Sequence, residues 1–169
     1  MCGGGKAADA LWCMAEIAET AGEIAMGILR HAMTAVALLG TSLAAQARPS
    51  GDPNVARILY QEARSFRASG KVLLAMFEAA VTESGMRNLR WGDRDSRGVF
   101  QIRVRYWGWA TATNVHLSAR WFLRRAIPRQ WRYGSAGALA QAVEVSARPW
   151  LYNRNGGWAR AWIRYVGGR

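Results

Sequence analysis

The chain has 169 residues, 51% of them hydrophobic and 20% charged, which fits one domain with a short appendage and excludes intrinsic disorder. Two cysteines, Cys2 and Cys13, and two histidines, His31 and His116, are too few for a disulfide framework or a zinc site, so neither a metal nor another cofactor is expected. The net charge is +12, and it is uneven: residues 1–47 carry two cations against four acids, residues 48–169 carry 21 against seven. A basic body of this kind suits a polyanionic partner such as nucleic acid, an anionic membrane or a cell wall.

Residues 1–47 differ from the rest. The run Ala32–Ala47 is uncharged over 16 residues, shorter than the roughly 20 residues a bilayer span needs, so no transmembrane segment is expected. It follows Arg30 and His31 and ends Ala45-Gln46-Ala47. Read from Met26, this is the order of a secretory leader: a basic start, an apolar centre and a small-residue cleavage site after Ala47. The alternative is an Ala-rich helix that belongs to an assembly.

Arg48-Pro49-Ser50-Gly51-Asp52-Pro53 reads as a loop, with Asp52 as N-cap and Pro53 opening a helix that continues through Val55, Ile58, Leu59, Ala63 and Phe66. Ser69-Gly70 breaks it. The next helix, Lys71 to about Glu83, is apolar apart from Glu78, Thr82 and Glu83, so it is expected to be the buried central helix, stopped by Gly85. Residues 86–116 have no sustained helical period and read as loop with at most a small hairpin. Helices are then expected from a Ser118 cap to Ile127, from Ser135 to Ser146, and from Trp158 to Val166. The fold class is all-α with one irregular insert after the central helix, residues 48–169 forming the domain and residues 1–47 the leader. Eight of nine tryptophans follow residue 90, more than a core of this size needs, and some are expected to line a groove.

Glu83 stands at the end of the most apolar helix. A carboxyl there feels the negative end of the helix dipole, and partial burial adds to that, so its pKa rises toward the range a general acid requires. Arg87, Arg90, Arg94 and Arg97 are close enough in sequence to pair with it instead.

Thr82-Glu83-Ser84-Gly85-Met86-Arg87-Asn88-Leu89-Arg90-Trp91-Gly92-Asp93-Arg94-Asp95-Ser96-Arg97-Gly98-Val99-Phe100-Gln101 resembles the catalytic segment of the soluble lytic transglycosylase family, E-S followed after thirteen residues by G-[LV]-[MF]-Q. It is more similar still to a subgroup of lysozyme-like domains from actinobacteria and their phages. Trp107-Gly108, and Gln141-Ala142-Val143-Glu144-Val145-Ser146 with Tyr152, resemble downstream segments of that subgroup; its Q-Q-R-P reads Gln101-Ile102-Arg103-Val104 here.

The resemblance implies a lysozyme-like fold, α+β at most, that cleaves peptidoglycan between N-acetylmuramic acid and N-acetylglucosamine. Glu83 matches the catalytic acid. Ser84, Asp95, Phe100 and Gln101 match positions near it, and Gln141 and Tyr152 lie where relatives line the groove; these are the candidate substrate-binding residues. In a lytic transglycosylase one carboxyl gives and then takes the proton, whereas a hydrolytic lysozyme needs a second, for which Asp93 and Asp95 are the acids nearest in sequence. Asp93-Arg94-Asp95-Ser96 also fits an Asx turn. The expected partners are glycan strands and the anionic wall, the expected state a secreted or wall-bound monomer. The alternatives are a non-catalytic, tail-associated phage fragment of the same fold, and a nucleic-acid-binding protein, for which no helix-turn-helix, RRM or zinc pattern is present.

Overall fold

The computed structural model describes residues 48–146 and 150–167, which belong to one compact unit. The expected leader and its cleavage site after Ala47 lie outside the described residues. The described fold is mostly helical: α1 (Pro53–Ser65), α2 (Gly70–Ser84), strands β1 (Ser96–Arg97) and β2 (Ile102–Arg103), α3 (Val104–Trp107), α4 (Trp109–Thr113), α5 (Val115–Ala126), a 3-10 segment (Ile127–Arg132), α6 (Ala136–Glu144), α7 (Trp150–Arg154) and α8 (Gly156–Gly167). The two strands pair antiparallel, Ser96 opposite Arg103 and Arg97 opposite Ile102. None of the described helices is long and apolar enough to cross a membrane.

The central helix is α2, as its composition predicts. Ser69 caps it by accepting from the Val72 N–H, and Val72, Ala75, Met76, Phe77, Ala79, Ala80 and Val81 are all buried. Helices α1, α6, α7 and α8 pack around it. Gly85 ends it at φ 63°, in the left-handed region that favours glycine, and its N–H returns to the Val81 carbonyl. The next N–H, of Met86, donates to the Ala80 carbonyl, and the Met86 carbonyl accepts from the Asp52 N–H at 3.0 Å. The end of α2 is thereby tied to the start of α1, where Asp52 accepts from Asn54 and Pro53 takes the first position. Such a cap contributes about 1 kcal/mol.

Three expectations are corrected. Asn114, not Ser118, caps α5, accepting from the Leu117 N–H; Ser118 is buried inside the helix with its hydroxyl on the Val115 carbonyl. The insert, expected to be loop with at most a small hairpin, also forms the short helices α3 and α4, while α5 ends at Ala126 and the chain continues as the 3-10 segment, where a proline early in the turn gives up no needed N–H. Trp150–Arg154 is a short helix of its own, and the last helix starts at Gly156.

The insert after α2 is anchored by its apolar residues. Val99, Phe100 and Ile102 are buried, and Phe100 stacks on Phe122 of α5 with centroids 5.1 Å apart. Gly98 has φ 81°, and a Cβ there would stand 1.7 Å from the Ala112 carbonyl oxygen. A Cβ on Gly92 would meet Gln101 Oε1 at 1.8 Å. Both motif glycines are thus explained by close approach.

Candidate active site

Glu83 lies in the last turn of α2, partly buried, and its Oε1 accepts from the Tyr152 hydroxyl at 2.5 Å. Tyr152 is fully buried in α7. Three residues further along the chain, Asn155 donates to the Thr82 hydroxyl at 2.9 Å, so the segment carrying the tyrosine is pinned to the turn carrying the glutamate. Burial raises the Glu83 pKa, and the tyrosine hydrogen bond, which favours the ionised form, opposes that rise. Burial first, and then the bond to Glu83, raise the Tyr152 phenol, so Tyr152 is a donor throughout the usual pH range.

The arginines of the insert do not form ion pairs with Glu83 among the described residues. Arg97 instead donates to the Arg94 and Ser96 carbonyls. The glutamate is therefore free of the paired alternative that its sequence neighbours suggested.

Glu144 is the residue that sequence reasoning missed. It ends α6, one of the helices packed on α2. Its carboxyl is held well above the usual carboxylate range, by burial first and by the Glu83 charge second, with Arg125 opposing. Its Oε1 is shut off from solvent and has no hydrogen-bond partner. The signal was present: Glu144 is the only charged residue between Ala136 and Ser146, as Glu83 is the last charge of an apolar helix.

An open cavity of about 510 Å³ adjoins this helix end. Glu144, Val145, Gln101, Arg103, Tyr106, Trp107, Trp121, Arg125 and Arg129 are among its walls, whereas Glu83 is not. The Arg125 guanidinium packs against two rings, 4.0 Å from the centre of Trp107 and 4.4 Å from that of Trp121, the rings themselves meeting edge to face with centres 5.9 Å apart. That stack fixes one wall. Val145 follows Glu144 at φ 55° and ψ 42°, a left-handed conformation costly for a β-branched residue, and its side chain is 83% exposed.

Of the residues expected to bind substrate, Gln101 and Tyr152 are brought to this region. Gln101 sits on the cavity wall at φ 49°, its amide donating to the carbonyls of Trp91 and Gly98. The other four have structural engagements. Phe100 is 1% exposed and stacked in the core, so its ring offers no face to a ligand. The Ser84 hydroxyl donates to the Ala80 carbonyl and accepts from the Arg87 N–H. Asp95 closes the hairpin: it accepts from the Arg105 N–H at 2.7 Å and from Arg103 Nε, and these contacts, the backbone one foremost, hold its carboxyl below the usual range. Gln141 donates to the Ser146 carbonyl and so braces the turn after Glu144.

No family model matches this chain, and no curated protein matches it either.

Proposed function

We propose that this protein cleaves the glycan strands of peptidoglycan at the bond between N-acetylmuramic acid and N-acetylglucosamine, by lytic transglycosylation that turns on Glu83. The observation that carries this reading is the Glu83 carboxyl itself. It is raised by burial, unpaired with arginine, and oriented by one buried hydroxyl. A carboxyl whose pKa is drawn toward neutrality exchanges a proton with a substrate oxygen at low cost.

In the simplest cycle the Glu83 proton passes to the glycosidic oxygen as the bond from muramic C1 to that oxygen breaks. The electron pair leaves with the N-acetylglucosamine, and the substrate's N-acetyl group supports the developing charge. The Glu83 carboxylate then takes the proton of the muramic 6-hydroxyl, whose oxygen bonds to C1. No water enters, and the product ends in a 1,6-anhydro ring.

The cavity beside Glu144 supports the reading. Its wall presents the rings of Tyr106 and Trp107, both exposed, flat apolar faces that suit a pyranose. The cationic excess of residues 48–169 suits an anionic wall, to which attachment is expected to weaken with salt. Action on the wall requires export, in keeping with the leader reading of residues 1–47.

The deciding experiment is digestion of purified peptidoglycan followed by mass analysis of the products. Anhydromuramic ends, about 18 Da (one water) below the reducing ends of hydrolysis, support lytic transglycosylation because the 6-hydroxyl replaces water as nucleophile. Reducing ends place the protein with hydrolytic lysozymes. Absence of cleavage favours the tail-associated, non-catalytic alternative.

A further inference from the structure

We propose that Glu144 is a second catalytic carboxyl: it faces the sugar from the cavity wall and delivers the proton to the leaving oxygen, leaving Glu83 as the carboxylate that collects the 6-hydroxyl proton. This rests on the reading of Glu83 given above and divides between two groups the work assigned there to one.

The geometry has three parts. First, Glu144 borders the cavity. A bound sugar in that space meets Glu144. Second, Glu144 Oε1 is closed to solvent and has no protein partner, a state costly for a carboxylate oxygen and tolerable for a carboxyl that keeps its proton. Third, Glu83 already has a donor. The Tyr152 hydroxyl, 2.5 Å from Glu83 Oε1, is matched to a carboxylate at Glu83.

The charges around Glu144 agree with that division. Glu83 comes from α2, Tyr152 from α7, Arg125 from α5 and Arg129 from the 3-10 segment. Arg125 is held by the two indoles and by the Trp121 carbonyl, and Arg129 donates to the Ala142 carbonyl at 3.4 Å. Neither forms an ion pair with Glu144 among the described residues. Two neighbouring carboxyls resist double ionisation, so the pair keeps one proton between them over its working range. Burial and the Glu83 charge both direct that proton to Glu144.

The step balances. The Glu144 proton moves to the glycosidic oxygen, and the C1–O bond breaks with its electron pair on the leaving sugar. The muramic 6-hydroxyl oxygen bonds to C1 and its proton goes to Glu83. The pair again holds one proton, which returns from Glu83 to Glu144 before the next turn.

Glu144→Gln is the test, assayed on peptidoglycan beside the wild type and Glu83→Gln. Glutamine keeps the shape and neutrality of the protonated side chain but has no proton to deliver. The expected result is a kcat lower by about 10²–10⁴ with KM within a few-fold and an unchanged melting temperature. The alkaline limb of the wild-type pH profile is expected to vanish from the residual activity. Glu144→Asp, which keeps the acid but retracts it, is expected to retain more activity than Glu144→Gln. A Glu144→Gln protein with wild-type kcat and the same alkaline limb overturns the proposal while leaving the Glu83 reading intact. An inactive wild type, or a fully active Glu83→Gln, overturns both. If Glu144→Gln fails to fold, Glu144→Asp decides: a folded aspartate variant with an unshifted profile and full kcat rejects the role.

Discussion

The Tyr152 hydroxyl donates to Glu83 Oε1 at 2.5 Å across 69 positions of sequence. Burial pushes the glutamate toward its neutral form, and this bond pulls it back toward the charged one. Tyr152→Phe removes the donor and keeps the ring, so the Glu83 pKa is expected to rise further. The limb of the pH–rate profile set by Glu83 then moves to higher pH, with a smaller loss of kcat than removal of the carboxyl causes. A profile coincident with wild type would mean that the bond does not act on the reacting group.

Glu83→Gln is expected to reduce glycan cleavage by about 10²–10⁴, the usual loss for a positioned acid or base. Glutamine can still accept from Tyr152 through its amide oxygen, so far-UV circular dichroism and melting temperature are expected to stay near wild type. Retention of more than a tenth of wild-type turbidity clearing on cell walls removes Glu83 from the mechanism.

Much of this arrangement was legible from the chain. Asp52-Pro53, Ser69, Ser135 and Gly85 punctuate helices where the side chain or the backbone requires it, and the apolar run after Lys71 marks the central helix. Glu83 stood out because one carboxyl closes that run. The site's second carboxyl was not found because proximity in sequence was used where packing decides. Asp93 and Asp95 are ten and twelve residues from Glu83, but α6 packs directly on α2 and carries Glu144 to the neighbourhood from 61 residues away. Phe100 was misread for a related reason. A motif fixes which residues recur together but not whether a ring is needed by the ligand or by the core, and here Phe122 takes it.

Gly98→Ala tests the account of the motif glycine. Alanine at φ 81° is strained, and its Cβ would fall 1.7 Å from the Ala112 carbonyl oxygen, a backbone atom that cannot swing aside. The hairpin and α4 have to separate, at a cost of about 2–4 kcal/mol. Chemical denaturation is expected to show a lower midpoint with nearly the same slope. A midpoint within error of wild type would show that this crossing has slack.

Val145 supplies a change of opposite sign. It holds a left-handed conformation with its side chain exposed, so it contributes strain and little burial. Val145→Gly is expected to stabilise the protein by about 1 kcal/mol, read as a higher melting temperature. The same change frees the turn that holds Glu144 at the cavity, so activity is expected to fall as stability rises. A variant that gains neither stability nor mobility at this turn rejects the strain assignment.

Glu78 makes stability depend on pH in a way separable from catalysis. It lies in α2 with 2% exposure, and its Oε2 has no partner. Its Oε1 presses on α8, where a Cβ at Gly156 would be 2.8 Å away. Burial raises its pKa to about 7, with the Arg160 charge only partly offsetting this. In the unfolded chain the same group titrates near about 4.3. Below that value both states hold the proton and Glu78 adds no pH dependence. Between about 4.3 and 7 the unfolded chain releases the proton while the folded protein keeps it, so stability falls as pH rises. Above about 7 both are ionised and the loss is complete, about 1–2 kcal/mol after allowance for solvent screening. Glu62 acts with the opposite sign: its bond to Arg120 foremost, with His116 assisting, lowers its pKa, so its contribution is present above the unfolded pKa and lost in acid. Glu78→Gln isolates the first effect. The variant is expected to be more stable than wild type at pH 8 and to differ little at pH 4, by denaturant titration at both. An equal difference at the two pH values would show that the Glu78 proton is not linked to folding.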